Sequence, residues 1–368
     1  MALGIEQLDD FVASYLQKYP MGKWQDISLP LQEYMFASRL FDRANKREMS
    51  TSQCKWKLKI DNNDNFQVVG LYHRDSSSRV NVLTEGSLKW GMTTTNYHYD
   101  IDEETFAQGA DAIVDYLDLQ EQGMMQDFFS GIEDVMMGPG PTSPTQSPFP
   151  PVSLLWWITA TSDGVTDNNA TIGFNGREPL SWSTSGVGGV SADDYPQWRN
   201  RTFPYTTVDR EDFVEKTINS MDLCTFRPPV QRSDIKPEGK HRWELLTTHS
   251  RIAEARRLLQ LGNDNIKDDL AAHSGSVFIR GVPMTWVPAW TNSNSVNART
   301  DGVILGVDWN TFDWYYNAGR NMRKKKPFQH PDMSNVRVRN MDDAGQIVCY
   351  NRRANFRGYC TQTVTETT

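Results

Sequence analysis

Cysteine is scarce in this chain and has no pattern. Cys54, Cys224, Cys349 and Cys360 stand far apart with no C-x-x-C pair. A chain of 368 residues buries enough surface to fold without disulfide staples, so four reduced thiols in a cytosolic setting are expected. Histidine is equally thin. His73, His98, His241, His249, His273 and His330 form no H-x-x-x-H and no His–Cys group, which argues against a zinc site. Long apolar runs are missing as well. Nothing approaches 18 consecutive apolar residues, and Asp9 and Asp10 interrupt the first apolar stretch, so neither a membrane-spanning helix nor a secretory leader is expected. Positive charge is in deficit, with 38 Lys and Arg against 46 Asp and Glu and a formal net charge of −8. Such a balance weighs against wrapping nucleic acid by bulk electrostatics, though a locally basic face stays open.

Catalytic signatures are missing too. There is no G-x-S-x-G elbow and no papain-type cysteine context. The glycine cluster Ser185-Gly186-Val187-Gly188-Gly189-Val190 lacks the strand–G-x-G-x-x-G–helix setting and the P-loop lysine, so a surface loop is expected there. The carboxylate pairs Asp193-Asp194 and Asp342-Asp343 sit in turn-like sequence and read as solvated turn residues, not a glycosidase acid pair. Asn169-Ala170-Thr171 and Asn200-Arg201-Thr202 match the glycosylation acceptor pattern by chance. No catalytic, cofactor-binding or metal-ligating set emerges, and an enzyme is not expected.

A folded core is expected instead, since hydrophobic residues are 38% and charged residues 23%. The chain is organised around Ile101 to Met137. Phe106, Ala110, Ile113, Leu117, Met124, Phe128, Ile132 and Val135 recur at helical spacing. Asp100 and Glu103 resemble a capping box, and Asp102, Glu103 and Glu104 place negative charge at the helix start. Gly138-Pro139-Gly140-Pro141 stops the helix, and Gly123 offers a bend. A helix this long, with no heptad array, reads as a spine on which other pieces hang.

Ahead of it, Ile5 to Leu16 and Leu31 to Phe41 carry helical patterns around Pro20 and Pro30. Cys54-Lys55-Trp56-Lys57-Leu58-Lys59-Ile60 alternates apolar residues with lysine, which is strand period. A turn at Asp61 to Asn65 follows. Phe66 to Val68, Val80 to Val82, Leu88 to Trp90 and Tyr97 to Tyr99 then continue as extended chain. A two-stranded ribbon is marginal alone in water, so this one lies over its own chain or over another copy.

Behind the helix, residues 138–151 form a Pro/Ser/Thr-rich connector expected to be extended and exposed. Leu154 to Ile158 is a buried segment and Gly164 to Gly189 is loop-like. Residues 209–223 form a second amphipathic helix capped by Asp209, with Phe213, Ile218 and Met221 facing in. Trp243 to Thr248 is a strand that opens onto a helix from Ser250 to Leu261, whose Arg251, Arg256 and Arg257 make a basic side. Strands follow at Val277 to Ile279, Val282 to Val287 and Gly302 to Val307, then the aromatic run Trp309 to Tyr316 and the basic run Arg323 to Lys326. The chain closes with a hairpin from Val336 to Arg339 and Ile347 to Tyr350, turning through Asp342 to Gly345.

This order of pieces resembles the major capsid proteins of tailed bacteriophages, whose α+β fold is named after phage Hong Kong 97. Three stretches carry the resemblance. Gly188-Gly189 with Tyr195-Pro196-Gln197-Trp198-Arg199-Asn200 is similar to a "GG…P-x-W-R-N" segment of those proteins. Phe278 to Pro283, with Gly281 at its centre, resembles their "f-x-G-x-P" turn, and Gln346 to Arg353 resembles a closing "Q-x-x-C-x-N-R-R" strand containing Asn351, Arg352 and Arg353.

The resemblance implies an N-terminal arm at 1–48 and an extended β-hairpin, the E-loop, at 49–100. It implies a P-domain spine helix with connector at 101–149, and an A-domain with interleaved P-domain elements at 150–330. A C-terminal β-hairpin and tail occupy 331–368. It further implies hexamers and pentamers that close an icosahedral head around double-stranded DNA, held by weak contact with the inner face. The protein would be assembled in the host cytoplasm and reside in the virion. Scaffolding, portal and decoration proteins are the implied partners, with no membrane; the lack of a long N-terminal coiled region points to a separate scaffold or to such a segment cleaved from the chain beforehand. Lys55, Trp56, Lys57, Lys59, Lys89 and Trp90 of the E-loop would contact a neighbouring copy, the lysines meeting carboxylates such as Asp102, Glu103 and Glu104. No residues match the lysine–asparagine–glutamate trio of crosslinked relatives, so no covalent crosslink is expected. Two other readings remain: an encapsulin-type shell around an enzyme cargo, and a carbohydrate-binding β-rich protein using Trp309, Trp314, Tyr315 and Tyr316 as a sugar platform.

Overall fold

The computed structural model describes residues 39–40, 46–59, 65–71, 83–100, 110–160, 172–179, 182, 184–225, 243–261, 277–292 and 302–361. Most of the expected N-terminal arm, the extended residues Val80 to Val82 and the helix start with Asp102, Glu103 and Glu104 lie outside them. The first strands in chain order are β1 (Lys46–Met49), β2 (Cys54–Lys59), β3 (Leu83–Leu88), β4 (Gly91–Asp100), β5 (Gly173–Gly176) and β6 (Asn200–Tyr205). Then come β7 (Trp243–Thr247), β8 (Val277–Ile279), β9 (Val282–Trp286), β10 (Ile304–Asp308) and β11 (Phe312–Asn317). The last are β12 (Arg323–Lys324), β13 (Phe328–Gln329), β14 (Val336–Cys349) and β15 (Phe356–Cys360). Two compact units divide the chain; the long helix Ala110–Met137, β4 and β14 each contribute one end to each unit.

The larger unit is built on a seven-stranded sheet of order β5-β6-β15-β10-β7-β9-β8. Its middle strands β10 and β15 are buried at every residue, Asp308 and Arg357 included. Helix Glu215–Cys224 packs on β6 and β15, and helix His249–Leu261 packs on β8 and β9. Their apolar sides join Phe203, Tyr205, Phe213, Met221, Leu245, Ile252 and Phe356 in one core. Asp209 caps the first helix, its carboxylate accepting from the Asp212 amide at 2.6 Å; a π-turn, Arg210–Val214, precedes the regular α-helix. Phe213 and Met221 point inward and Ile218 is partly buried against the same core, as the pattern requires.

A second sheet starts in this unit. β1 runs parallel to β11 (Lys46↔Trp314), and β11 pairs antiparallel with the end of β14 (Phe312↔Cys349). Trp309, Phe312 and Trp314 are all but inaccessible, Tyr315 is buried and Tyr316 alone among these aromatics keeps partial exposure, so the aromatic run is mainly core and presents no flat array for a sugar. The expected turn at Asp342 to Gly345 is not a turn. β14 passes straight through it for 14 residues, because its first half finds partners in β12 and β13 (Arg323↔Asp342, Phe328↔Val338) and its second half in β11. Asp343 is buried there and accepts from the Met322 amide at 3.0 Å. The connector 138–151 is also less free than its composition suggests. Pro141 O accepts from the Trp182 indole at 3.2 Å, Pro144 O from Lys89 Nζ at 2.8 Å, and Phe149 meets the Trp182 ring edge-on at 6.3 Å.

The smaller unit holds residues 94–130 and 323–342 among its described parts. β4 and the short strands β12 and β13 all pair with β14. Glu121, on the long helix, accepts from Arg339 at 3.0 Å and from Lys324. Asp342 receives Lys325 at 2.5 Å and Arg323 at 3.6 Å. The long helix runs unbroken past Gly123, and Met124, Phe128, Ile132 and Met136 make a buried stripe at four-residue spacing.

Candidate functional site

Three features of the larger unit meet at one place: the root of the β2–β3 hairpin, the Gly188–Gly189 turn and the closing N-R-R segment. The hairpin alternates as its sequence dictates. Cys54, Trp56 and Leu58 are buried while Lys55, Lys57 and Lys59 face solvent, in a register that sets Cys54 opposite Leu88 and Lys59 opposite Leu83. Two strands cannot bury a tryptophan by themselves, yet Trp56 is 4% exposed. The Trp157 ring covers it edge-on at 6.0 Å, and the Gly188 backbone lies against the same indole. Gly188 has φ +70°, and a Cβ there would stand 3.0 Å from both Trp157 and Trp56. Ser87 N donates to Gly188 O at 2.9 Å, which ties β3 to the turn.

Behind the turn stands an aromatic stack. Trp157 meets Trp156 at 5.1 Å and Trp198 at 6.4 Å, and Trp156 meets Trp182 at 5.0 Å, all edge-to-face. Trp198 Nε1 donates to Val187 O at 3.0 Å, fixing the strand of backbone that carries the glycines. The guanidinium of Arg352 lies 5.9 Å from the Trp198 ring centre. Arg352 is wholly buried and spends its donors on Trp157 O at 2.8 Å, Arg177 O and Asn200 Oδ1 at 3.1 Å, and Thr159 Oγ1 at 3.3 Å. Burial lowers its pKa to about 10, opposed by the charge of buried Glu178, so it remains a cation at neutral pH. Glu178 itself accepts from the Ala192 amide.

The other resemblance positions have local work. Arg199 donates to Ala192 O at 2.9 Å and approaches Asp193, which also pairs with Arg177 at 2.8 Å. Arg353 lies 4.3 Å over the Phe174 ring. Asn351 O accepts from Asn355 Nδ2 at 3.0 Å. Gly281 and Arg280 both have positive φ, 77° and 53°, as a two-residue hairpin turn requires.

Of the residues expected to face a neighbour, two do not. Trp56 is covered by its own chain, and Trp90 is 8% exposed with its indole donating to Thr51 O at 2.9 Å. Lys89 is occupied by Pro144 O and lies 5.9 Å over Phe149. Lys55 pairs across the hairpin with Glu85 at 3.5 Å, and Lys57 and Lys59 lie on the open face. The far end of the hairpin is the reverse of its root: Phe66 and Val68 are 90% exposed and Leu71 93%. Four apolar side chains within six residues of sequence, Phe66, Val68, Val69 and Leu71, are thus left largely in water. Periodicity could not assign them, because residues 65–70 form no regular strand.

Among the described residues no group of three His, Cys, Asp or Glu could hold a metal ion, and no helix is long and apolar enough to cross a membrane. The buried thiols of Cys54, Cys224 and Cys349 are pushed up to about 12 by burial, away from reactivity.

No protein-family model matches the chain, and no curated relative matches it. Solved structures do. The capsid of cyanophage A-1(L) matches with a TM-score of 0.56 at 14% identity, over 93% of this chain and 96% of that one. The capsid of a native GTA particle matches with a TM-score of 0.54 at 8% identity, over 95% and 99%. The SrpI encapsulin of Synechococcus elongatus PCC 7942 matches at 0.50 and 10% identity, over 97% and 98%. The chain therefore has the α+β fold of these shell proteins, the Hong Kong 97 type, along nearly its whole length.

Proposed function

We propose that this chain is the major capsid protein of a tailed bacteriophage, which self-assembles through hexamers and pentamers into an icosahedral shell around double-stranded DNA. The observation that carries this reading is the near full-length likeness to capsid subunits at both ends of the alignment. The exposed apolar hairpin end supports it physically, because a second copy of the chain would bury what this copy leaves in water. Lys57 and Lys59 on the open face of the hairpin would meet carboxylates of the neighbour, Asp102, Glu103 and Glu104 among them. Function then resides in packing between copies, not in catalysis. Negative-stain microscopy and size-exclusion chromatography of the expressed chain test it. Closed particles of uniform diameter are expected, and a monomer at every concentration would refute assembly. Replacing Phe66 and Leu71 by serine should leave the subunit folded and abolish particles.

A second reading is favoured by the encapsulin match: a shell holding protein cargo. Nuclease-protected DNA inside purified particles supports the capsid reading; co-purifying enzyme without DNA supports the encapsulin one.

A further inference from the structure

We propose that Gly188, Gly189 and Trp157 form a socket for the Trp56 indole, and that this socket sets the angle at which the β2–β3 hairpin leaves the body of the larger unit. The hairpin is tethered at its root by Trp90 Nε1 to Thr51 O and by Gln346 Nε2 to Lys89 O, each at 2.9 Å. Single bonds close to the strand ends locate a pivot but leave the hairpin free to swing about it. Trp56 stands beyond the pivot. A Cβ on Gly86 of β3 would come within 2.4 Å of its ring, and Trp157 and Gly188 also lie against that ring. Gly86 moves with the hairpin, so any swing must draw the indole off Trp157 and Gly188 and open a void against them, which a close-packed interior resists.

The turn is shaped for that contact. Gly188 and Gly189 both have positive φ, 70° and 77°, and the Gly189 Cα faces Ser87, whose side-chain oxygen a Cβ would approach to 3.1 Å. Ser87 N, directed away from β2, bonds Gly188 O. The socket is backed by Trp198 and, through it, by buried Arg352. This gives Gly188, Gly189 and Trp198 of one resemblance segment and Arg352 of another one shared task as positioning residues.

Hydrogen exchange of the Ser87 amide in the full-length chain tests the socket. In Trp56→Ala and in Gly188→Ala that amide should exchange about tenfold faster or more. Gly281→Ala is the control, because Gly281 has a similar positive φ, +77° against +70° at Gly188, but nothing within 4 Å of a Cβ; it adds backbone strain without touching the β2–β3 hairpin and should leave Ser87 unchanged. Should Trp56→Ala fail to fold, Trp56→Phe keeps an aromatic plug and is expected to give an intermediate rate. Unchanged Ser87 protection in folded Trp56 and Gly188 variants would overturn the proposal, as would equal acceleration by Gly281→Ala. The consequence for shells rests on the assembly reading: variants with fast Ser87 exchange should give particles of broadened diameter where the parent gives uniform ones. Absence of particles from the parent itself would count against assembly and leave the Ser87 result to decide the socket.

Discussion

The larger unit keeps its decisive charges in the dry interior, whereas the smaller unit wears its charges on the outside. Arg352 and Asp313 are wholly buried, and Glu244 is 5% exposed. Glu121, Lys324 and Arg339 of the smaller unit are 28%, 36% and 29% exposed at their side chains. Coulomb attraction is strong in the first setting and screened in the second, but so is the cost of removing a partner. Charge in the larger unit therefore specifies which segments lie together. Glu244 shows how: burial alone would raise its pKa, yet hydrogen bonds from Arg39, Thr285 and Trp309 hold it below its ordinary value. In the smaller unit the same residue types pair at the surface, where water and salt weaken the attraction.

The largest expected break in this contrast is Arg352→Met. It removes four hydrogen bonds at once and leaves Trp157 O without the bond it now accepts, while Arg177 O keeps only the Thr159 hydroxyl. Losing this buried guanidinium leaves neutral acceptors unpaired and the nearby charge of Glu178 uncompensated, at about 3–5 kcal/mol, measurable as a shift in the denaturant midpoint. Arg352→Lys should rescue little, since an ammonium cannot reproduce the planar fork. A loss below about 1 kcal/mol would remove Arg352 from its place as anchor.

Next is Arg47→Met. Arg47 Nε pairs with buried Asp313 at 2.6 Å, and its guanidinium lies 5.4 Å from the Tyr350 ring centre. Since Arg47 is itself nearly half exposed, water can reach the orphaned carboxylate in part, and about 2–3 kcal/mol is expected. Adding Asp313→Asn should recover part of that loss in a double-mutant cycle. Additive single losses would show that the pair is not what pins β1 to β11.

Asp343 sharpens the comparison through pH. Burial pushes its carboxyl up to about 6, against the Met322 and Ala344 amides and the charge of Lys46, which favour ionisation. The ordinary value is 3.8. The unfolded chain thus releases this proton first, and the favourable contribution of the protonated form is lost as pH rises from 3.8 to about 6. The full difference is about 3 kcal/mol. Asp343→Asn keeps an acceptor for Met322 N without the charge. It should melt higher than the parent at pH 7.5, and that advantage should vanish below about pH 4. An advantage that does not vary with pH would show that the effect is not ionisation of this group.

How much of this was written legibly in the chain follows the same division. The lysine-alternating strand, the cap at Asp209, the hairpin turn at Arg280-Gly281 and the stop after Met137 were readable, because each is local: period, cap or punctuation decides it. What escaped was long-range. β5 and β6 are short, and β5 is half glycine, so only pairing within a large sheet makes them strands. Asp342 to Gly345 has turn composition but runs as strand, because β11, β12 and β13 supply ladders that composition cannot announce. Trp56 looked like a neighbour-facing residue because no covering element is adjacent to it; its cover comes from about a hundred residues downstream. The resemblance segments hinted at Gly188, Trp198 and Arg352 separately. That they converge was visible only in three dimensions.

The smallest effect completes the contrast. In the smaller unit, Glu121 lies below its ordinary pKa, chiefly through the hydrogen bond from Lys324 with the charges of Lys324 and Arg339 adding to it. A depressed carboxylate stabilises above the unfolded value of 4.5 and loses that contribution as pH falls through its folded value. With all three side chains partly in water, Glu121→Gln should cost about 0.2–1 kcal/mol near neutral pH and less in high salt. Arg352→Met should be almost insensitive to salt. If Glu121→Gln instead destabilised as much as Arg352→Met, with no salt dependence, burial would not be what separates the two units. The charges of the smaller unit would then have to be counted as architectural too.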